Sequence, residues 1–179
     1  GLRCDRLTRD LLVKLKDAGT RDVSVAIETS SPRLQKFVGK NTDLEKINTV
    51  IGWLSELKIR SRGFFMIGFP TETREEILGT IEFARKSKLD TAYFFYVTPF
   101  EGTRLAELCP GFSGKYTDLF VFGTSNLTDL ADDELHDLHR LAVRRFYSLP
   151  RLWNLLVHHP TNKIKLLQTL PWQLRRFFR

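Results

Sequence analysis

The stretch Gly63-Phe64-Phe65-Met66-Ile67-Gly68-Phe69-Pro70-Thr71-Glu72 constrains the fold of this chain more than any other. Residues 60–67 turn apolar on both faces as they proceed, the pattern of a strand buried in a parallel sheet. That strand runs directly into a corner of glycine, proline and threonine. Thr73-Arg74-Glu75-Glu76 then has capping-box spacing and opens a helix. In α/β proteins a buried strand, a glycine corner and a capped helix together make a place where ligands bind, at the carboxyl ends of the strands. Gly68 lets a ligand approach the backbone closely, and Pro70 fixes the corner. A βα turn that holds no ligand has the same ingredients.

The chain before and after this stretch repeats the same rhythm. Thr8 to Ala18 reads as a helix, with Leu11, Leu12, Leu15 and Ala18 on one face and Gly19 as its stop. Val23-Ser24-Val25-Ala26-Ile27 is a β-branched, alternating strand that ends in Glu28-Thr29-Ser30-Ser31-Pro32. Ser31 and Pro32 suit the N-cap and first position of a short helix that Gly39 closes. Thr42-Asp43-Leu44-Glu45 has capping-box spacing, and Ile47, Val50, Ile51, Leu54 and Leu57 form an apolar stripe after it. The strand at Arg60 to Ile67 leads to a helix from Arg74 to Lys86. Thr91 to Thr98 is a third strand, ending in Pro99-Phe100-Glu101-Gly102-Thr103. Strand and helix alternate, which predicts βαβ units and a parallel sheet with right-handed crossovers.

Past Leu108 the rhythm stops. Residues 110–114 read as a loop, 118–123 as a short strand, and Asp132 to Tyr147 as a helix with acidic residues first and Arg140, Arg144 and Arg145 last. Pro150, Pro160 and Pro171 divide the tail into short amphipathic pieces. The expected division is therefore residues 1–108, the α/β part, and 109–179, a helical basic extension.

Three strands make an incomplete barrel or sheet, and the first would present an unpaired apolar edge. Strands upstream of Gly1 would cover it, so the chain is expected to begin inside a longer protein; it also lacks an initiator Met. Its first residues have neither the charged nor the apolar region of a signal peptide. At 179 residues, 42% hydrophobic and 27% charged, it has the size and composition of one packed domain or part of a larger one. No apolar run approaches the ~20 residues that span a bilayer. Cys4 and Cys109 are far apart, off metal-ligand spacing, and suit a reducing cytoplasm.

The net charge of +7 is uneven: nine Lys or Arg and no Asp or Glu lie from Arg140 onward. The first 139 residues sum to −2, so any anionic partner belongs to the tail. Residues 163–179 mix Lys and Arg with Leu, Trp172, Phe177 and Phe178. That mixture has three readings, in this order: a helical extension with solvated arginines, contact with an anionic membrane surface, and contact with nucleic-acid phosphates.

Glu28 is a carboxylate just past a buried strand. There it can accept hydrogen bonds from both hydroxyls of a ribose, or it can be a surface carboxylate at a helix start. His136 and His139 lie three apart on a helix with Asp132 nearby, spacing that fits a metal site or a solvated helix face. Tyr93, Phe94, Phe95 and Tyr96 point to alternate faces, half toward a core and half toward a pocket. No phosphate-loop motif is present.

Val25-Ala-Ile-Glu-Thr-Ser-Ser31, Gly63 to Glu72 and Thr98-Pro-Phe-Glu-Gly-Thr103, in this order and spacing, resemble the later strands of the radical S-adenosylmethionine (SAM) enzymes. The resemblance covers about residues 2–105. Arg144-Arg145-Phe146-Tyr147 followed by Pro150-Arg151 is similar, more weakly, to the branch with an N-terminal cobalamin-binding domain. It implies a fragment of a partial, TIM-like (β/α)6 barrel with parallel strands, and an enzyme in which a 4Fe–4S cluster reduces SAM to methionine and a 5′-deoxyadenosyl radical. By the same resemblance Glu28 binds the SAM ribose with Ser30 as helper. Gly63 to Gly68 form the strand on the adenine side, with Met66 where isoleucine is usual. Val97, Thr98 and Pro99 offer backbone groups to the adenine edge, and Arg3 lies near SAM.

One departure is large. The family holds its cluster with three cysteines in a Cys-x3-Cys-x2-Cys loop, and Cys4 and Cys109 cannot supply it. The cluster loop and any cobalamin domain are expected upstream, and this chain alone is expected to be inactive. The expected partners are SAM, an unknown substrate and the missing N-terminal half, in the cytoplasm or at a membrane surface. The rival reading is a non-catalytic α/β module whose basic tail docks on a membrane or an RNA.

Overall fold

The computed structural model describes residues 3–40, 43–110 and 126–158. A 3-10 turn at Cys4–Arg6 precedes α1 (Arg9–Asp17), β1 (Asp22–Glu28), α2 (Pro32–Phe37), α3 (Leu44–Glu56) and β2 (Arg60–Ile67). Next come α4 (Arg74–Lys86), β3 (Thr91–Tyr96), α5 (Arg104–Leu108), α6 (Asp132–Phe146) and α7 (Leu149–His158). The strands form one sheet in the order β1-β2-β3, all parallel, with Asp22 opposite Arg60 and Ile67 opposite Tyr96.

The helices start where their side chains satisfy the first free N–H groups. Thr8 accepts from the Leu11 N–H, Ser31 from Leu34 with Pro32 behind it, and Thr73 and Glu76 complete a reciprocal capping box. Helix α3 is capped by Asp43, whose carboxylate accepts the Glu45 N–H at 2.8 Å. Thr42, expected in that role, lies outside the described residues, as do the expected strand at 118–123 and the tail at 163–179. Pro150 sits in the first turn of α7, where a missing N–H is tolerated, so it begins a helix rather than breaking one.

One face of the sheet is the core. Val23, Val25, Ile27, Phe65, Ile67, Ala92, Phe94 and Tyr96 are buried there under α3, α4 and α6. The other face carries Ser24, Ala26, Arg62, Phe64 and Met66, half-buried, and the exposed rings of Tyr93 and Phe95. The split expected for the aromatic run at 93–96 is thus observed, two rings inward and two outward.

Helix α6 lies beyond the expected boundary at 108, yet Leu135, Leu138, Ala142, Val143 and Phe146 share the sheet's core. Its side chains also cover the outer edge of β3. Tyr147 donates to the Ala92 carbonyl at 2.9 Å and accepts the Ala92 N–H at 3.3 Å, and His139 Nε2 donates to the Phe94 carbonyl at 2.9 Å. These are the groups a further strand would take, so the helix covers that edge. In contrast, β1 pairs only with β2 among the described residues.

Gly63 faces the helix side. A Cβ there would lie 2.5 Å from Leu89 Cδ1 and 3.0 Å from a Phe65 ring carbon. Its absent side chain lets the 87–90 turn close on the sheet. Gly63→Ala should therefore destabilise the fold by about 1–3 kcal/mol in urea titration. Adding Leu89→Ala vacates the contested space, so the double variant should lose less than the two single losses added together.

Candidate functional site

The site is built from two corners at the carboxyl end of the sheet. At the first, β1 bulges between Ala26 and Glu28, and Glu28 adopts φ +68°. A left-handed backbone at a non-glycine residue costs about 1–2 kcal/mol and persists only where its surroundings impose it. Here they do. Gln35 Nε2 donates to the carbonyls of Ile27 at 2.8 Å and Thr29 at 2.6 Å, and the Ser31 N–H donates to Thr29 Oγ1 at 3.1 Å. From α4, Thr80 Oγ1 accepts the Ser30 N–H at 3.0 Å and lies 3.2 Å from the buried Thr29 hydroxyl.

Glu28 is thereby held at the strand end with its carboxylate half-sheltered, 2.5 Å from Lys40 Nζ just past α2. Arg3 Nη2 donates to the Lys40 carbonyl at 3.4 Å. Two residues singled out from the sequence, Arg3 and Glu28, thus meet around a third, Lys40, that was not. The Ser30 hydroxyl is instead turned to α4, 3.4 Å from Thr80 Oγ1 and packed on Gly79.

At the second corner Gly68 has φ +93°. A Cβ there would make only ordinary contact with Leu135 at 3.5 Å, so conformation rather than space demands glycine. Glu72 folds back beneath the corner, and its Oε2 accepts the N–H groups of Gly68 at 2.6 Å and Phe69 at 3.1 Å. Glu72 is only 2% exposed and its Oε1 has no hydrogen-bond partner. Burial pushes its carboxyl up from 4.5 to about 7, against the lowering effect of the two N–H groups. A proton on the unpartnered oxygen is consistent with both facts.

Between the corners Leu34, Phe69 and Val97 form a small apolar cluster, with Met66, Val38, Leu105 and Leu127 against it. The Val97 N–H donates to the Ile67 carbonyl at 2.9 Å, extending β3 toward half-buried Thr98 and buried Pro99. Met66 and Val97, predicted to lie against an adenine, are therefore packed in one cluster. Gly63 is five residues below this end and faces the helices, so its glycine requirement comes from packing.

A carboxylate acceptor beside an apolar patch suits a nucleoside, with hydroxyls for Glu28 and a flat base for Met66 and Val97. The cluster donors do not fit. Cys4 is buried in the main core, Cys109 follows α5, and among the described residues no group of three metal-ligating side chains converges. The histidine pair is split: His136 lies on the exposed face of α6 with Asp132, and His139 is half-buried. Tyr96 Oη lies 2.8 Å from His136 Nδ1 and its ring stacks on His139 at 4.8 Å, tying α6 to β3. Burial lowers the His139 pKa, in keeping with a neutral ring donating to Phe94.

A parallel sheet whose strand order follows the chain, with helices packed on one face, is the architecture of a segment of a (β/α) barrel. Residues 2–84 match the Radical SAM superfamily, and the chain belongs to that superfamily. It is 32% identical over 154 residues to an uncharacterized methyltransferase of Pyrococcus horikoshii, covering 81% of this chain and 33% of that protein. It is 27% identical over 172 residues to cytidylyl-2-hydroxyethylphosphonate methyltransferase of Streptomyces wedmorensis, covering 83% and 32%. Coproporphyrinogen III oxidase from Escherichia coli, a radical SAM enzyme, shares the fold with a TM-score of 0.51 at 19% identity, over 53% of this chain and 22% of that one. The chain spans about a third of the length of the curated relatives it matches.

Because the folded pKa of Glu72 exceeds its unfolded value, the unfolded chain loses this proton first as pH rises. Stability should be greatest below 4.5, fall between 4.5 and about 7, and level off above it, by a few kcal/mol at most. Glu72→Gln keeps an acceptor for Gly68 and Phe69 without the ionisation. Denaturant unfolding across that range should show a flatter profile for the variant, and higher stability than the parent at pH 8.

Proposed function

We propose that the protein carrying this chain is a radical SAM methyltransferase and that these residues form the ribose and adenine side of its SAM site. The observation that carries the reading is Glu28, a carboxylate kept at φ +68° by five side-chain and backbone hydrogen bonds at the end of a buried strand. Strain of this kind, imposed from α2, α4 and the corner's own side chains, marks positions where a side chain must be aimed. Glu28 accepts the ribose hydroxyls, exchanging part of its contact with Lys40 for them. Met66 and Val97 pack on the base, and the 97–99 backbone reads its edge.

A 4Fe–4S cluster held by cysteines outside these residues would supply the electron that cleaves SAM to methionine and a 5′-deoxyadenosyl radical. Both long matches are to proteins named methyltransferases, which favours methyl transfer over the other reactions of this superfamily. Cobalamin enters the proposal as methyl carrier, and no residue of this chain is assigned to it.

In the intact protein, Glu28→Ala should weaken SAM binding about tenfold or more, the weight of one or two hydrogen bonds to a charged group, and Glu28→Gln should fall between. Equilibrium dialysis with SAM measures this. Unchanged affinity in Glu28→Ala removes the ribose assignment.

A second reading, compatible with the first, rests on α7. Leu149, Trp153 and Val157 recur every fourth residue and are 83%, 68% and 44% exposed. They precede a tail that is basic without any acid, and no described helix is long and apolar enough to cross a membrane. An apolar stripe with tryptophan beside uncompensated positive charge fits the surface of an anionic bilayer. The protein should sediment with phosphatidylglycerol vesicles but not with phosphatidylcholine alone. Replacing the three stripe residues by serine should abolish this, whereas salt-sensitive retention on RNA instead of vesicles would refute the membrane reading.

A further inference from the structure

The two corners are joined by one guanidinium. Arg33, in the first turn of α2, donates through Nε to Glu76 Oε1 at 3.0 Å and through Nη2 to Glu76 Oε2 at 2.5 Å. The same side chain donates through Nη1 to Thr71 Oγ1 at 2.9 Å and through Nη2 to the Thr71 carbonyl at 2.8 Å. Glu76 also receives the Ser31 hydroxyl at 2.6 Å and the Thr73 N–H at 3.0 Å. Its carboxylate therefore gathers donors from the chain after β1 and from the start of α4.

The placement is symmetrical about the ligand site. Ser31 lies three residues after Glu28, and Thr71 three residues after Gly68. Thr71, like Glu28, is a non-glycine residue with positive φ, at +64°. Arg33 thus holds the backbone of the second corner, while Glu76 holds both Arg33 and the first corner. The Arg33 guanidinium, followed by the Ser31 hydroxyl, keeps Glu76 at about 2 despite partial burial, so the pair stays charged at any pH where the protein works.

The Arg33 side chain is 51% exposed. An ion pair so exposed contributes little to global stability. Its geometry is the informative part: a planar fork with Nε, Nη1 and Nη2 all engaged, spanning two loops that meet nowhere else through a side-chain charge pair among the described residues. Binding sites lose function when their groups drift by about 1 Å, so a brace between two loops acts on the ligand more than on the fold.

We propose that Arg33 is a positioning residue for SAM, locking the β1 and β2 corners at the separation that lets Glu28 and the apolar patch of Met66 and Val97 engage one ligand. The inference rests on the SAM reading of Glu28, and the test separates the two. In the intact protein, equilibrium dialysis with SAM and thermal unfolding are measured for Arg33→Ala, Arg33→Lys, Glu28→Ala and the double variant Arg33→Ala/Glu28→Ala. Arg33→Ala should raise the SAM dissociation constant about tenfold, the weight of one or two charge-assisted hydrogen bonds, with the unfolding midpoint nearly unmoved. Lysine keeps the charge but not the fork, so Arg33→Lys should fall between and serves if the alanine variant does not fold. Because Arg33 acts by fixing the second corner relative to Glu28, the brace has nothing left to align once Glu28 is gone, and the double variant should bind little worse than Glu28→Ala. Unchanged affinity in Arg33→Ala and Arg33→Lys, or fully additive losses in the double variant, overturns the brace while leaving Glu28 in place. Unchanged affinity in Glu28→Ala overturns the SAM reading itself.

Discussion

The carboxyl end of this sheet depends on two backbone corners held in left-handed conformation, Glu28 at +68° and Gly68 at +93°. The second is met by a residue that adopts the conformation freely. The first is met by a carboxylate, and only because Gln35, Thr29 and Thr80 leave the chain no other path. That asymmetry separates a corner that merely turns from a corner that aims a side chain. The buried threonines and Gln35 are polar groups that a pure packing core would not contain, and each engages a backbone group of the β1 corner or another of the set.

The sheet has two different edges. On β3, Tyr147 and His139 take the outward groups of Ala92 and Phe94, and α6 shares the core. The β3 side is finished by a helix. On β1 the described residues supply no such cover, and the open face of the sheet carries Phe64 on β2 against Tyr93 and Phe95 on β3. Among the described residues β1 is therefore the end strand whose outer backbone groups no helix takes.

Much of this was legible in the residues. Alternation in β1, the glycine corner after β2, and the caps at Thr8, Ser31 and Thr73 are local signals, and the structure follows them closely. The place of Glu28 after a β-branched run was legible, but that place suits a surface carboxylate as well as a ribose acceptor, and its ligand role came only from the resemblance. Lys40, Arg33 and Glu76 were not. Their partners lie 12 to 45 residues away in sequence, and an arginine or lysine near a short helix carries no mark of what it reaches. Glu72 sat inside the most informative stretch, but its burial depends on the chain folding back under Gly68, which spacing alone does not show. The role of α6 was hidden for a related reason: the rhythm of strand and helix breaks after 108, and only the packing of Leu135 to Phe146 reveals that the core continues.

The most direct test is a structure of the intact protein with SAM bound. The ribose hydroxyls should then lie within hydrogen-bond distance of Glu28, with the adenine against Met66 and Val97. Lys40 should have moved from the place it holds here, 2.5 Å from the Glu28 carboxylate. A SAM molecule seated away from both corners, with the Glu28–Lys40 pair intact, would contradict the assignment of this end of the sheet.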